Sequence, residues 1–348
     1  MDHPCVSFIG IVDFSHEAKW LFLSDSVADL LGYEPGELIG RPSLNLVHPD
    51  EYIRIKQLHF DTIQQDKAAC LVYLRMRHKD PYKGYILCGV SRTVVHNVLV
   101  GSVSFAQPGA KALHNASTAS EITIVAPDAA NFELRRWNDP TPMAPDPLPR
   151  INSPASPVPS SPTWIPSSPD SSRTPSEHRS PTPESTPEPN FDDLTYQSYR
   201  TAFILDRFSL NCTIEYCTNN FFINTVDAIG RPFFDFVAQQ DEDMVRSWID
   251  CVKSWGVNER GQPSDGGFGF GKFSLIPEGR DSIGRVLDPL SGKQKNGAHR
   301  SRSQRSRTSG QQIRPRVRIL AGKSLMTVDA IFSAHSDGLM VILRRAAT

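Results

Sequence analysis

No stretch of this 348-residue chain approaches the roughly 18 consecutive apolar residues that span a bilayer. Its start, MDHPCVSFIGIVDF, has no basic region ahead of a long apolar run, so no leader peptide is expected and the sequons at Asn115 and Asn211 have no secretory route. Cysteine is sparse and scattered. Cys5, Cys70, Cys88, Cys212, Cys217 and Cys251 form no CxxC pair and no zinc spacing, and they read as reduced, mostly buried thiols. Nor is there an excess of either charge: Lys and Arg number 37 against 38 Asp and Glu, so no global field draws the chain onto nucleic acid or membrane. GxSxG, HExxH, P-loop, kinase and phosphatase signatures are all missing. These absences point to a soluble intracellular protein, nuclear, cytoplasmic or both, that is not an enzyme.

Proline is plentiful but uneven. Of 28 prolines, 16 fall between Pro140 and Pro189, in text such as SPASPVPSSPTWIPSSPDSSRTPSEHRSPTPESTPEP. So few apolar residues cannot offset the entropy of ordering, and proline denies the backbone its donors, so a disordered linker is expected. Ser153, Ser156, Ser161, Ser168 and Ser180, with Thr141, Thr174, Thr182 and Thr186, each stand directly before proline. They are candidate sites for a proline-directed kinase, each adding roughly −1.5 to −2 charges when modified.

Ahead of the linker the pattern is orderly. SFIGIVDF reads as a strand, and CLVYLRMRH alternates, with Val72, Leu74 and Met76 on one face and Tyr73, Arg75 and Arg77 on the other. GYILCGVSRTVV and NVLVGSVSF complete an antiparallel meander. SDSVADLLG predicts a short helix capped by Ser24 or Asp25 and closed by Gly32, and a longer one is predicted from Glu51 to about Gln65 with Asp50 as cap.

The same order returns after the linker. TAFILDRFS matches FIGIVDFS, GRPFFDFV echoes GRPSLNLV, QDEDMVRSWIDCV echoes PDEYIRIKQLHFDTI, and GFGFGKFSLI, SLMTVDAIFSAH and GLMVILRRA follow as strands. The chain thus reads as two copies of one α+β unit. The second holds about 48 extra residues near 277–314, including GKQKNGAHRSRSQRSRTSGQQIRPR. From Lys293 to Arg318 there are nine Lys or Arg and no acid, a basic loop suited to phosphate binding or nuclear import.

The succession of strand, short helices, LGYEPGELIGRP, LVHPDE, long helix and three-strand meander resembles the PAS domain family, most clearly over residues 6–107. The resemblance implies two PAS-like domains, each an antiparallel sheet with helices on one face: residues 1–108, a flanking segment and linker over 109–190, and a divergent second domain over 191–348. The arrangement is similar to the PAS regions of basic helix-loop-helix PAS and fungal white-collar-type regulators, without their DNA-binding domains, so direct DNA binding is not expected. It implies a regulatory protein acting through protein–protein interaction in intracellular signalling or transcriptional regulation, its partner another PAS-containing protein or itself. The alternative is a small-molecule or haem-binding sensor in the first domain.

Candidate sites follow from that frame. The light-sensing branch of the family needs a cysteine just after the Gly-Arg of GRPSLNLV, where this chain has Ser43, and Phe233 or Phe234 in the second copy; none of these forms a thiol adduct, so no flavin is expected. His59 shares a helix face with Tyr52, Ile55, Leu58, Thr62 and Ile63, which makes it the candidate haem ligand, although a histidine on such a face also serves as a core residue and no cofactor is expected. The run GGFGFG, Gly266 to Gly271, has alternating phenylalanines and no following helix, and reads as an edge strand rather than a phosphate cradle. Tyr73, Arg75, Arg77, Val98 and Val100 are the interface candidates, because the meander carries apolar residues on both faces. Phe132, Leu134 and Trp137 could cover that outer face instead.

Overall fold

The computed structural model describes residues 6–134, 189–191, 194, 199–258, 261–280 and 325–347. The nine Ser-Pro and Thr-Pro sites, the linker around them, Trp137 and the basic run Lys293–Arg318 lie outside the described residues.

Two α+β modules result. The first runs β1 (Ser7–Asp13), β2 (Trp20–Leu23), α1 (Val27–Leu31), α2 (Pro35–Leu38), α3 (Pro49–Gln64), β3 (Cys70–Arg77), β4 (Tyr85–Val95), β5 (Val98–Phe105), α4 (Ala110–Thr118) and β6 (Glu121–Ile124). Its sheet has the order β2-β1-β5-β4-β3-β6, antiparallel except for β6, which pairs parallel with β3. The second runs β7 (Arg200–Leu205), β8 (Ile214–Cys217), α5 (Thr225–Ala228), α6 (Glu242–Trp255), β9 (Gly269–Leu275), β10 (Met326–Ala334) and β11 (Leu339–Arg345), and its order β8-β7-β11-β10-β9 repeats the first five strands of the first sheet. The glycine-rich β9 lies at the sheet edge, as its sequence implies.

The repeated Gly-Arg-Pro does one job twice. Gly40 and Gly230 have φ of +78° and +80°, and their N–H groups donate to Trp20 O and Ile214 O at 2.8 Å, pinning the turn to the short second strand. Proline then makes a bridge to Lys19 in one module and to Thr213 in the other. The next bridges, Val47 to Met76 and Val237 to Leu275, seat the long helix over the sheet. Beside them Glu51 accepts from Arg75 N–H at 2.7 Å, as Asp241 accepts from Ser274 N–H at 2.8 Å. Glu51 also takes the Arg75 guanidinium at 2.6 Å. These correspondences fix the register between the copies residue by residue.

Local chemistry corrects two caps. Pro49 occupies the first turn of α3, so the preceding His48 is the cap, its Nδ1 accepting from Asp50 N–H at 3.2 Å; Asp50 is a first-turn acid rather than the cap. In α1 the N-cap is Ser26, one residue past Asp25 and two past Ser24, the two expected caps, and Gly32 closes the helix at φ +79°. A Cβ on Gly32 would lie 2.9 Å from His78 Cε1. Gly32→Ala is therefore expected to lower the unfolding free energy by about 1–2 kcal/mol, seen as a shifted denaturant midpoint at unchanged slope.

Each sheet buries its inward face under helices. Phe8, Val72, Leu74, Met76, Cys88 and Leu99 meet Leu31, Ile55 and Ile63 in the first module, while Phe203, Phe273, Phe332 and Val341 meet Phe233, Phe236 and Ile249 in the second. The outward faces are covered as well. Ile9, Ile11, Val98 and Val100 pack directly on Ala202, Ile204, Met340 and Ile342, so the two sheets lie face to face. The rest of the first outer face, Ala69, Leu71 and Tyr73, is covered by Phe132, Leu134, Ala129 and Phe268.

Candidate functional site

The row of residues facing inward across the middle of the first sheet is nearly empty of side chains. Gly10 on β1 pairs with Gly101 on β5, which pairs with Arg92 on β4, which pairs with Cys70 on β3. The Trp20 ring lies over Gly10, where a Cβ would come within 2.6 Å of Cζ3, and a Cβ on Gly101 would strike Ser91 O; a hollow remains beyond them, between the sheet and α3. The hollow is a cavity of about 70 Å³ whose walls include Leu44, Ile55, Leu74 and Val103, with Trp20, His59 and Arg92 supplying the polar edges.

The second module shows the same positions filled. Phe203, Val341 and Phe332 replace Gly10, Gly101 and Arg92 in the corresponding row. Phe233 stands where Ser43 stands, and Ile249 where His59 stands. The Phe203 and Phe233 rings lie 6.3 Å apart and both are fully buried, whereas in the first module the Trp20 ring covers Gly10 and Ser43 borders the cavity.

Arg92 is 6% exposed, Nη1 has no hydrogen-bond partner, and no carboxylate among the described residues forms an ion pair with it. Burial lowers its pKa to about 10. Trp20 Nε1 is also buried without a partner. His59 is held differently: Nε2 lies 3.3 Å from Ser15 O, and the ring stacks on Phe191 at 5.7 Å. Burial, and secondarily the Arg92 charge, lowers its pKa to about 4, so it is a neutral imidazole at pH 7. A haem does not fit here, because the cavity is far below the ~300 Å³ at which pockets for ligands of that size begin and His59 Nε2 is directed at a carbonyl.

The other candidates separate. Arg75 is committed to Glu51 and Arg77 is exposed. Tyr73 packs edge-on against Phe132 at 5.3 Å, and burial raises its pKa. Val98 and Val100 contact the second module, so the outer face is covered by the chain itself rather than left open.

A second polar constellation lies between the modules. Asp265, His335 and Ser333 are spaced like a nucleophilic triad, with His335 Nδ1 4.0 Å from Asp265 Oδ1 and Nε2 2.9 Å from Ser333 Oγ. The hydroxyl, however, donates to Gly267 O at 2.8 Å, so His335 must carry its proton on Nε2 and cannot take one from the serine. All three are buried. Asp265 also accepts from Asn115 Nδ2 at 2.8 Å and Ser104 Oγ at 3.1 Å, which makes it a fastening point between modules.

Sequence reasoning found His59 but missed Arg92, Gly10, Gly101 and Trp20. The available signal was parity: Arg92 is in step with Cys88, Val90 and Val94, a charge on the inward face of a strand.

Residues 21–85 match the model of the PAS fold. No curated protein matches the chain. Among solved structures it is similar to the PAS domain of the quorum-sensing receptor RpfR from Cronobacter turicensis in complex with BDSF, at 17% identity and a TM-score of 0.26, covering 31% of this chain and 100% of that chain. It is likewise similar to Cycle PAS-B from Drosophila melanogaster with bound ethylene glycol, at 20% identity and a TM-score of 0.25, covering 28% of this chain and 99% of that chain. On the family match, the first module carries a PAS domain, a module of signalling and regulatory sensing.

Proposed function

We propose that the chain is a non-enzymatic regulatory protein whose first module senses a small molecule in its hollow core and whose second module receives that state across the shared sheet interface. One observation carries this reading: the inward row that is Phe203, Val341 and Phe332 in the second module is Gly10, Gly101 and Arg92 in the first. A core that needed only to be stable would be filled, since cavities destabilise in proportion to their volume. Val100 and Ile11, which back onto the cavity-lining strands, share one buried apolar cluster with Ile204 and Met340, so a change in the sheet's twist on ligand entry has a mechanical route to the second module.

Recruitment of a second PAS-containing protein through Val98 and Val100 would require that face to open, and for this reason it is placed second. Modification of the linker by a proline-directed kinase, a nuclear or cytoplasmic location and a role in transcription belong to the same proposal; they rest on the Ser-Pro and Thr-Pro pairs and the basic run.

The test uses the whole chain. Linear alcohols and carboxylates from ethanol and acetate to hexanol and hexanoate are titrated while thermal unfolding is followed. At least one series should raise the melting temperature saturably. Ser43→Phe, which copies Phe233, should remove that response while leaving the unfolding free energy within about 3 kcal/mol of wild type. Absence of any saturable shift, or an unchanged shift in Ser43→Phe, would sink the reading.

A further inference from the structure

The hollow core of the first module contains a positive charge and no negative one. Arg92 is carried on the inward face of β4, nine-tenths buried, with Nη1 unpartnered. Trp20 Nε1, on the opposite side of the Gly10–Gly101 gap, is the second buried and unpartnered donor. Guanidinium and indole groups donate hydrogen bonds and accept none. Asp13 and the His59 imidazole lie nearby, but His59 is uncharged at neutral pH and Asp13 is engaged by Ser15 and Lys19 N–H at 3.1 and 2.9 Å. The remaining walls are mostly apolar, Val12, Leu44, Leu74 and Val103 among them, with Ser43, Ser91 and Ser102 as neutral polar members.

An unpaired buried cation is strongly unfavourable and is relieved by a hydrogen-bonded anion. In the second module the matching position is Phe332, so the fold itself does not require a charge there. Resting on the reading of the cavity as a ligand chamber, we propose that its ligand is a small monocarboxylate with a short aliphatic body, the carboxylate held by Arg92 and Trp20 Nε1 and the chain lying against Leu44 and Leu74. A planar carboxylate suits the guanidinium fork. Inorganic phosphate fits less well, because it has no aliphatic body to lie against Leu44 and Leu74. A volume of about 70 Å³ limits the body to a few carbons without expansion of the core.

The purified full chain is titrated with butyrate, butanol, butylamine and inorganic phosphate, with two readouts: the melting temperature and the indole N–H resonances, Trp20 being assigned through Trp20→Phe. Butyrate should shift the Trp20 resonance and raise the melting temperature saturably. Butanol should bind at least tenfold more weakly, and butylamine and phosphate should do neither. Arg92→Met should bind butyrate at least tenfold more weakly and butanol no worse than wild type; Arg92→Phe, copying Phe332, should bind neither and keep the fold. If butanol binds as well as butyrate, or Arg92→Met keeps its preference for the acid, the carboxylate assignment is wrong while the chamber stands. Should phosphate compete equally, the aliphatic body is wrong. If nothing binds, both readings fall together.

Discussion

A glutamate in place of Val100 is expected to unfasten the two modules. Val100 is fully buried where Ile9, Ile11 and Val98 of the first sheet meet Ala202, Ile204, Met340 and Ile342 of the second. A carboxylate there would be buried among apolar side chains, and its burial penalty of several kcal/mol exceeds what one sheet contact supplies. Other fastenings are the buried Asp265 bonds to Asn115 and Ser104, Phe268 against Leu71 and Tyr73, and several polar links. Ser7 N–H donates to Ser336 Oγ at 2.8 Å, Ser26 N–H to Asp337 Oδ2 at 2.8 Å, and the Arg200 guanidinium meets Asp66 at 2.7 Å and Val94 O at 2.9 Å. With a protease site inserted after Ser160 and cleaved, the wild-type halves should elute together at micromolar concentration, and those of Val100→Glu should separate. Val100→Ala should weaken the association by only about 1–3 kcal/mol. Wild-type halves that part on cleavage would show that the interface has no such strength, and would remove the route by which the cavity reaches the second module.

The meander was legible because it carries strict period-two text. In Cys70–Arg77 the inward set Val72, Leu74, Met76 and the outward set Leu71, Tyr73 fall where alternation puts them. What alternation could not say is what covers the outward set. That answer depends on residues more than a hundred positions apart coming into one cluster, as Val100 and Met340 do. The elements missed are short: β2 has four residues, and β6 is EITI, a strand only because the free edge of β3 accepts it in parallel. Helix α4, AKALHNAST, follows Gly109 and carries no strong start signal, its Asn115 being drawn inward by Asp265 of the other module.

The candidate site was half visible. His59 showed itself through helix periodicity, since Ile55, Thr62 and Ile63 lie on the same buried face. Arg92 did not, because an arginine between Ser91 and Thr93 in a strand reads as a solvent-facing residue. Its inward direction follows from the register of β4 with β3 and β5, and pairing register is a property of three strands together. The contrast with Phe332 likewise appears only when Gly10–Gly101–Arg92 is laid beside Phe203–Val341–Phe332, an alignment that divergent wording hid.

Acidification from pH 7 to pH 4 is expected to remove a large share of the protein's stability, through two histidines in different modules. His59 and His335 are 3% and 0% exposed, and burial lowers both from 6.5 to about 4. Arg92 adds to the effect at His59 while Asp13 and the bond to Ser15 oppose it; at His335, Asp265 and Asp337 oppose burial, and Arg207 and Lys111 assist it. The sign follows from proton counting. Below pH 6.5 the unfolded chain binds a proton on each histidine and the folded chain does not, so stability falls with pH from 6.5 until the folded groups titrate near 4. At about 1.4 kcal/mol per pH unit, each histidine accounts for a loss of about 3 kcal/mol, a large share of the ~5–15 kcal/mol typical of a folded domain. Glu242, held low by Arg246 and Arg280 against partial burial, adds a loss only at the acid end of this range. Urea unfolding measured between pH 7.5 and 4 should therefore show a free energy that is level at the top and steepens below 6.5. His59→Ile, which copies Ile249 of the second module, should shed about half of the slope contributed by the pair, and His335→Gln the other half. A profile that stays level through pH 5 in the wild type, or a slope untouched by both substitutions, would mean that these imidazoles are not held neutral by burial.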